Sequence, residues 1–539
     1  MHDFNGTYST KRRFAGQLLL AFLLTAVHFS VIKSRDVAIF SFPSGGRRLL
    51  FAYGCVILAA LVCFCFYAFL LHVIRKLISK DEAFLSYFRY FLFYFVFMGF
   101  FWLLTWPGIF KGDEFYVLRS ALSFTMSGAQ SGLTSLFYIV SLLIFPSLAT
   151  IVFFQLLIIC TLFAIAMHDV CAVLPQSRLR VLLFVPFVLL PVIDGNLFTL
   201  RATLVGWIFL FVLAELFYLA RSRTVSMRRC MLLAVLSGLL CAWRSEYIYL
   251  VVLLPLALLL LRLASVKRAL IVCVILLLSS SAFNIPNRIA LNGSNKYPIS
   301  LVLNPVANLF TEAESLKGPQ VYEDIMTINE LVDVQLLRKT ASVRNISQYW
   351  NIDDVLPKEQ LSAFMKASLR LIIFNPDKFM KYRWQTFAYT NGLYPDRVNH
   401  PGGECVDAIN RLVYYDTDYK SMFILMQPPL GQSLREITIS LLACRTYKQG
   451  DIRTNALLPV FYNCIPVLVL SVLFFLVALL RKNRLFAVLF LLLLGQFPLI
   501  FLTAPAMFFM YYFCFYLSGW FLCMLFITGS LTKRTAPGS

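Results

Sequence analysis

Two adjacent carboxylates, Asp113 and Glu114, stand in the stretch Trp106-Pro-Gly-Ile-Phe-Lys-Gly-Asp-Glu-Phe-Tyr116, just beyond an apolar run in a chain that otherwise avoids acids. Carboxylates at the edge of a hydrocarbon layer are costly to desolvate unless they are paired or wet, so a pair there marks a candidate functional site. The plain alternative is a solvated turn at Gly112-Asp113. Two more acids, Asp194 and Glu246, and two arginines, Arg201 and Arg244, also adjoin the ends of apolar runs. Any one such charge can merely mark a helix end. Arg201 follows a tight Asp194-Gly195-Asn196 turn and Arg244 sits beside Glu246, and a site for a lipid phosphate needs fixed cations at such places.

These residues can meet only if the segments between them fold back and forth across a membrane, and composition points that way. Hydrophobic residues make up 60% of the chain and charged residues 14%, whereas charged residues approach roughly a quarter of a soluble domain. Several windows have almost no charge over about 17 residues or more, enough to cross roughly 30 Å of hydrocarbon as helices. Strands of alternating polarity are absent, which excludes an outer-membrane barrel. The expected fold is an all-α polytopic membrane protein with about twelve spans, near 14–32, 50–72, 87–105, 149–168, 181–193, 199–220, 230–243, 247–262, 269–284, 459–480, 485–502 and 506–528. The first span follows Lys11-Arg12-Arg13 without a small-residue cleavage pattern, so it reads as uncleaved.

Charge orients the spans. Residues 285–456 hold 19 Lys+Arg and 17 Asp+Glu, a balance of +2, so +19 of the formal +21 belongs to the membrane part. With the N-terminus inside, alternate connections carry Arg75-Lys76-Lys80, Arg178-Arg180, Arg221 to Arg229, Arg262-Lys267-Arg268 and Arg481-Lys482-Arg484, as the positive-inside rule requires. The basic excess is thus a topology signal and not the footprint of a nucleic-acid binder. Residues 33–49, with Lys33, Arg35, Arg47 and Arg48, are the one outer connection that disagrees.

On this topology an N-terminal transmembrane core, 1–284, carries an outer loop at 106–148. An extracytoplasmic and mainly helical segment follows at 285–456, and C-terminal spans occupy 457–539. The apolar stretch 133–147 around Tyr138 is too short to span and reads as an interfacial or re-entrant helix covering the outer surface. In the large segment, Lys378, Lys381 and Arg383 alternate with Phe379, Tyr382 and Trp384, the mixture expected of a helix lying on lipid, or else of a core helix with a solvated basic face. The thirteen cysteines include no CxxC pair and the five histidines no cluster, so no zinc site is expected. Cys405 and Cys444 could pair if their segment faces an oxidising compartment. No phosphate-binding glycine loop, ATPase motif or internal repeat is present.

The order of these residues resembles the GT-C class of integral-membrane glycosyltransferases, which take sugar from a polyprenyl-phosphate carrier. Pro107-Gly108 followed by Asp113-Glu114 looks like the position of that class's catalytic acid. The interfacial helix around Tyr138 comes next, then a span with Gln155, and then Leu200-Arg201-Ala-Thr203-Leu204, similar to an Arg-Asp-Thr-Leu run. Trp243-Arg244-Ser-Glu246-Tyr-Ile-Tyr249 and Asn375-Pro376 to Arg383 resemble later elements of the class. Ala202 departs from the acid often found after the arginine, and no His-Pro-Pro run precedes Tyr138.

The resemblance implies inverting transfer to an extracytoplasmic glycan, lipid or protein acceptor, at a site on the periplasmic or luminal side. Asp113 or Glu114 would be the general base. Arg201 and Arg244 would bind the donor phosphate, with Asp194, Glu246 and Tyr138 in support and Lys378, Lys381 and Arg383 touching lipid. No cofactor is expected, and a divalent metal has no support in the sequence. Short cytoplasmic loops favour a bacterial inner membrane, although sequons at Asn292 and Asn345 leave an endoplasmic-reticulum home open. Two competitors remain. An O-antigen polymerase or ligase would rely chiefly on arginines and histidines of outer loops, but only His400 lies in the large segment. A lipid or solute transporter would place charges near mid-membrane and show related halves.

Overall fold

The computed structural model describes residues 4–33, 39–110, 112–126, 131–223, 226–286, 297–340, 356–393, 423–448, 451–454, 456–505 and 507–531. The chain opens with α1 (Phe4–Lys33), α2 (Gly46–Ile78) and α3 (Glu82–Leu104), then the shorter α4 (Gly112–Leu122) and α5 (Gly132–Ile144), then α6 (Leu148–Val173). A 3-10 helix, Arg178–Val188, leads into α7 (Leu190–Leu197), and α8 (Arg201–Ser222), α9 (Met227–Trp243), α10 (Leu250–Leu260) and α11 (Val266–Phe283) complete the first part. Side chains cap several helix starts: Asp81 accepts from the Phe84 amide at 3.0 Å, and Ser147, Ser226 and Ser265 cap α6, α9 and α11.

The large segment contributes α12 (Tyr297–Val306), a 3-10 stretch Ala307–Ser315, α13 (Val321–Asn329), α14 (Val334–Thr340), α15 (Lys358–Phe374), α16 (Pro376–Thr390) and α17 (Gln432–Leu442). These are followed by an antiparallel hairpin of β1 (Arg445–Lys448) and β2 (Asp451–Thr454), in register Arg445 to Thr454. The chain then runs through α18 (Leu458–Phe461), α19 (Ile465–Leu480), α20 (Arg484–Thr503) and α21 (Phe513–Leu531). Part of the segment has a hydrophobic core of its own, in which Phe310, Ile328, Phe364 and Leu371 are all buried. Cys405, His400, Asn292, Asn345 and Asp36 lie outside the described residues.

Among the described residues nine helices are long and apolar enough to cross a membrane, which makes this a helical, polytopic membrane protein. The expected spans near 181–193, 230–243 and 247–262 are not among the nine. The first corresponds to the 3-10 helix and α7, which meet at a bend of 52°. The second is α9, of 17 residues, and the third is the short apolar stretch Ser245–Leu260 with Pro255 inside it.

Helix α8 is the axis of the bundle, with 94% of its apolar window buried. It packs against α6, α9 and α21. Beside it, the broken segment ending in α7 exposes carbonyls that a continuous helix would satisfy, and in a low-dielectric core each must find another donor. Gln155 on α6 donates to the carbonyls of Asn196 (2.8 Å) and Phe198 (3.0 Å), and Thr203 on α8 donates to those of Gly195 (2.5 Å) and Phe198 (3.1 Å). The Asn196 side chain accepts from the Trp207 indole at 2.6 Å and donates to the Tyr94 hydroxyl at 2.9 Å. This buried network fixes where residues 197–201 emerge from the bundle.

At the end with the basic connections, Asp169 and Glu215 are both buried, at 4% exposure, and share Arg229, at 3.4 and 2.8 Å. Tyr87 donates to Asp169 at 2.9 Å. These two acids tie α6, α8 and α9 together, while the candidate site lies at the other end.

Candidate functional site

The route from α3 to the acid pair is held by hydrogen bonds from distant parts of the chain. The indole of Trp102 donates to the Pro107 carbonyl at 3.0 Å, and the Ile109 amide donates to the Leu197 carbonyl at 3.0 Å, where Ile109 also pairs with Phe198 as a parallel bridge. From α17 comes Arg435, 1% exposed, which donates to the carbonyls of Trp106 (2.8 Å) and Gly108 (3.1 Å). Gly108 is there because nothing larger fits. Its φ is +144°, and an added Cβ would come within 2.4 Å of Val152 Cγ2.

The loop delivers Asp113 and Glu114 into the first turn of α4, where the exposed amides of a helix N-terminus favour negative charge. The two acids differ in setting. Glu114 is fully buried, and Asp113 is half-buried. Helix α4 packs on α5, and Tyr138 of α5, itself fully buried, faces this carboxylate. Burial first, and then the negative charge of Glu114, hold the Tyr138 phenol well above its ordinary pKa. The phenol is therefore neutral, and it shares a 2.6 Å hydrogen bond with Thr199 Oγ1.

One turn earlier on the same face of α5, about 6 Å along the axis, Thr134 accepts from the Trp243 indole at 2.9 Å. The Trp243 carbonyl in turn accepts from Arg201 at 3.4 Å. Arg244, 3% exposed, makes an ion pair with Glu246 at 2.6 Å and lies 5.8 Å from the Tyr511 ring. Glu246, just ahead of α10, thus faces Arg244 and, behind it, Arg201. Two guanidiniums facing one carboxylate leave a net charge of +1, and Arg201, half-buried, is the more accessible of the two. The arrangement can therefore hold an anion beside a carboxylate that is already paired.

The structure brings together Glu114 with Tyr138, and Arg201 with Arg244 and Glu246, and links both groups through α5. Asp194 is placed differently. It is 2% exposed on α7 and lines a small cavity with Phe198, Thr203, Tyr462 and Phe509. It lies close to Cys444, whose thiol is pushed up to about 11 by burial and, secondarily, by this carboxylate.

The basic run in α16 also differs from the expectation of lipid contact. Arg383 is 2% exposed and donates to the carbonyls of Phe501 (2.8 Å) and Ala504 (2.7 Å), the open end of α20. Lys381 pairs with Glu312 at 3.0 Å, and Lys378 donates to the Ser315 carbonyl at 2.6 Å. Arg383 is turned into the protein, and Lys378 and Lys381, the latter exposed, meet the 3-10 stretch Ala307–Ser315, because α16 packs on that stretch and on α20.

Thr134, Thr199 and Arg435 are additions that the sequence reading missed, and Trp243, named there only as part of a motif, gains a contact with Thr134. The available signal for Arg435 was its spacing with Thr438, Ile439 and Leu442 on one helical face. No group of three or more His, Cys, Asp or Glu among the described residues is arranged to hold a metal ion. No protein-family model, curated protein or solved structure matches the chain.

Proposed function

We propose that the protein is an inverting glycosyltransferase that moves a sugar from a polyprenyl-phosphate carrier to an extracytoplasmic glycan, lipid or protein acceptor. The single observation supporting this most is that one helix, α5, adjoins both the Asp113–Glu114 pair, through Tyr138, and the Arg201–Arg244–Glu246 group, through Thr134 and Trp243. In this reading the bent 3-10 helix with α7, together with α9 and the stretch Ser245–Leu260, also cross the bilayer, bringing the count to twelve. The site end then faces away from the cytoplasm, in a bacterial inner membrane.

The chemistry follows from the settings of the groups. Asp113, the more exposed acid, takes the proton of the acceptor hydroxyl as its oxygen attacks the anomeric carbon; the bond from that carbon to the carrier phosphate breaks, and inversion results from one displacement. Phosphate is a good leaving group and needs no strong acid. Arg201, with Arg244 behind it, neutralises the charge that the departing phosphate gathers. Glu114 and Tyr138 orient α4 against α5. The test is to incubate purified protein in lipid with radiolabelled polyprenyl-phosphate sugars and candidate acceptors. Release of the sugar from its carrier supports the proposal, whereas movement of intact donor between leaflets without cleavage replaces it with a transporter.

A further inference from the structure

Helix α17 has three faces. Arg435, Thr438, Ile439 and Leu442 are buried against the protein, on the side of α3 and α7. Ser433 and Glu436 are exposed and polar. Between these faces runs an apolar stripe at spacing i, i+3, i+7, in which Leu434, Ile437 and Leu441 are 40%, 65% and 53% exposed. Water facing both free sides would leave that stripe without a physical reason. A helix half-sunk in a lipid boundary has one, because it needs a protein side, a lipid side and a water side.

The position of α17 says which partner fits. Arg435 holds it to Trp106 and Gly108, only a few residues beyond the last turn of α3. There Phe100 and Leu103, on a membrane-spanning helix, are 57% and 45% exposed. Val460, 65% exposed, opens the next span after the segment, and Trp106 donates its indole proton to the Leu425 carbonyl at 2.6 Å, as indoles do near a headgroup boundary. Tyr462, beside Val460, donates to the Leu442 carbonyl at 2.6 Å, so an apolar span with exposed residues lies near each end of α17.

We infer that α17 lies in the headgroup boundary of the bilayer with Leu434, Ile437 and Leu441 among the acyl chains, so that the partner of this surface is lipid. Its protein side, through Arg435, holds the loop that leads to Asp113 and Glu114. A lipid-seated helix from the large segment thereby sets the height of the acid pair above the membrane. The inference stands on the membrane architecture and survives if the proposed reaction fails.

The test uses the full chain in lipid nanodiscs with a nitroxide at each of five cysteine substitutions, L434C, I437C, L441C, S433C and E436C. The unsubstituted chain, labelled in parallel, supplies the background from native cysteines. Oxygen concentrates in acyl chains and a neutral nickel chelate in water, so collisions with each report the surroundings of the label. The expected result is an oxygen-to-nickel collision ratio several-fold higher at 434, 437 and 441 than at 433 and 436. Equal ratios at all five positions would overturn the inference. So would low collision rates with both reagents at 437, which would mean that protein covers the stripe.

Discussion

Replacing Arg383 by alanine separates two pictures of the basic run in α16. Its guanidinium donates at 2.8 and 2.7 Å to the carbonyls of Phe501 and Ala504, and the side chain is 2% exposed. Burial pulls its pKa down to about 10, so it stays charged at neutral pH. Each carbonyl stripped of its donor in such a place costs about 1–3 kcal/mol, and the two together roughly 2–6 kcal/mol before lost packing is counted. Lys381, whose side chain is 56% exposed, is the comparison, because water screens an exposed ion pair and leaves it little to contribute. Melting of the detergent-solubilised protein can be followed with a fluorogenic thiol reagent, which reads exposure of Cys464, Cys514 and Cys523, all buried in the folded chain. R383A is expected to melt several degrees below wild type, and K381A within a degree or two. Indistinguishable melting of R383A and K381A would refute the placement of Arg383 as the cap of α20.

Other expectations follow from the same structure. G108A forces a Cβ to 2.4 Å from Val152 Cγ2 at a φ of +144° and should abolish transfer in an assay where G99A, which meets nothing within 4 Å, is silent. W207F removes the donor to Asn196 Oδ1 and should cost about 1–3 kcal/mol by the same thermal measurement. Glu312 is held below the ordinary carboxyl range, first by the Tyr382 hydroxyl and then by Lys381. A folded pKa below the unfolded one stabilises above the unfolded value, about 4.3, and that gain disappears as pH falls through the folded value. The melting difference between wild type and E312Q, read by intrinsic fluorescence, should therefore be present at neutral pH and vanish in acid.

Much of the architecture was legible because apolar runs of about 20 residues leave little choice in how a chain meets a membrane. Each of the nine long helices overlaps an expected span, several of them running beyond its ends. The three outside the nine are bent, around 178–197, or short, around 227–243 and 245–260, and they carry prolines or a basic start that a hydropathy count cannot resolve into bends and half-turns. In the site, the scarcity of charge singled out Glu114, Arg201, Arg244 and Glu246. Arg435 escaped notice because it meets Trp106 across 329 positions and looks like any base in an amphipathic helix. Arg383 misled for a related reason: bases alternating with aromatics suit a lipid surface as well as a helix cap, and only packing against α20 decides. Asp194, near the candidate arginine in sequence, lines a small cavity with Thr203, Tyr462 and Phe509 instead.

The central claim, that the acid pair performs sugar transfer, is tested most directly by the rate at which D113N protein in lipid moves labelled sugar from polyprenyl phosphate to acceptor. Loss of transfer with wild-type melting and insertion is the result expected. Transfer at the wild-type rate would remove Asp113 from the reaction.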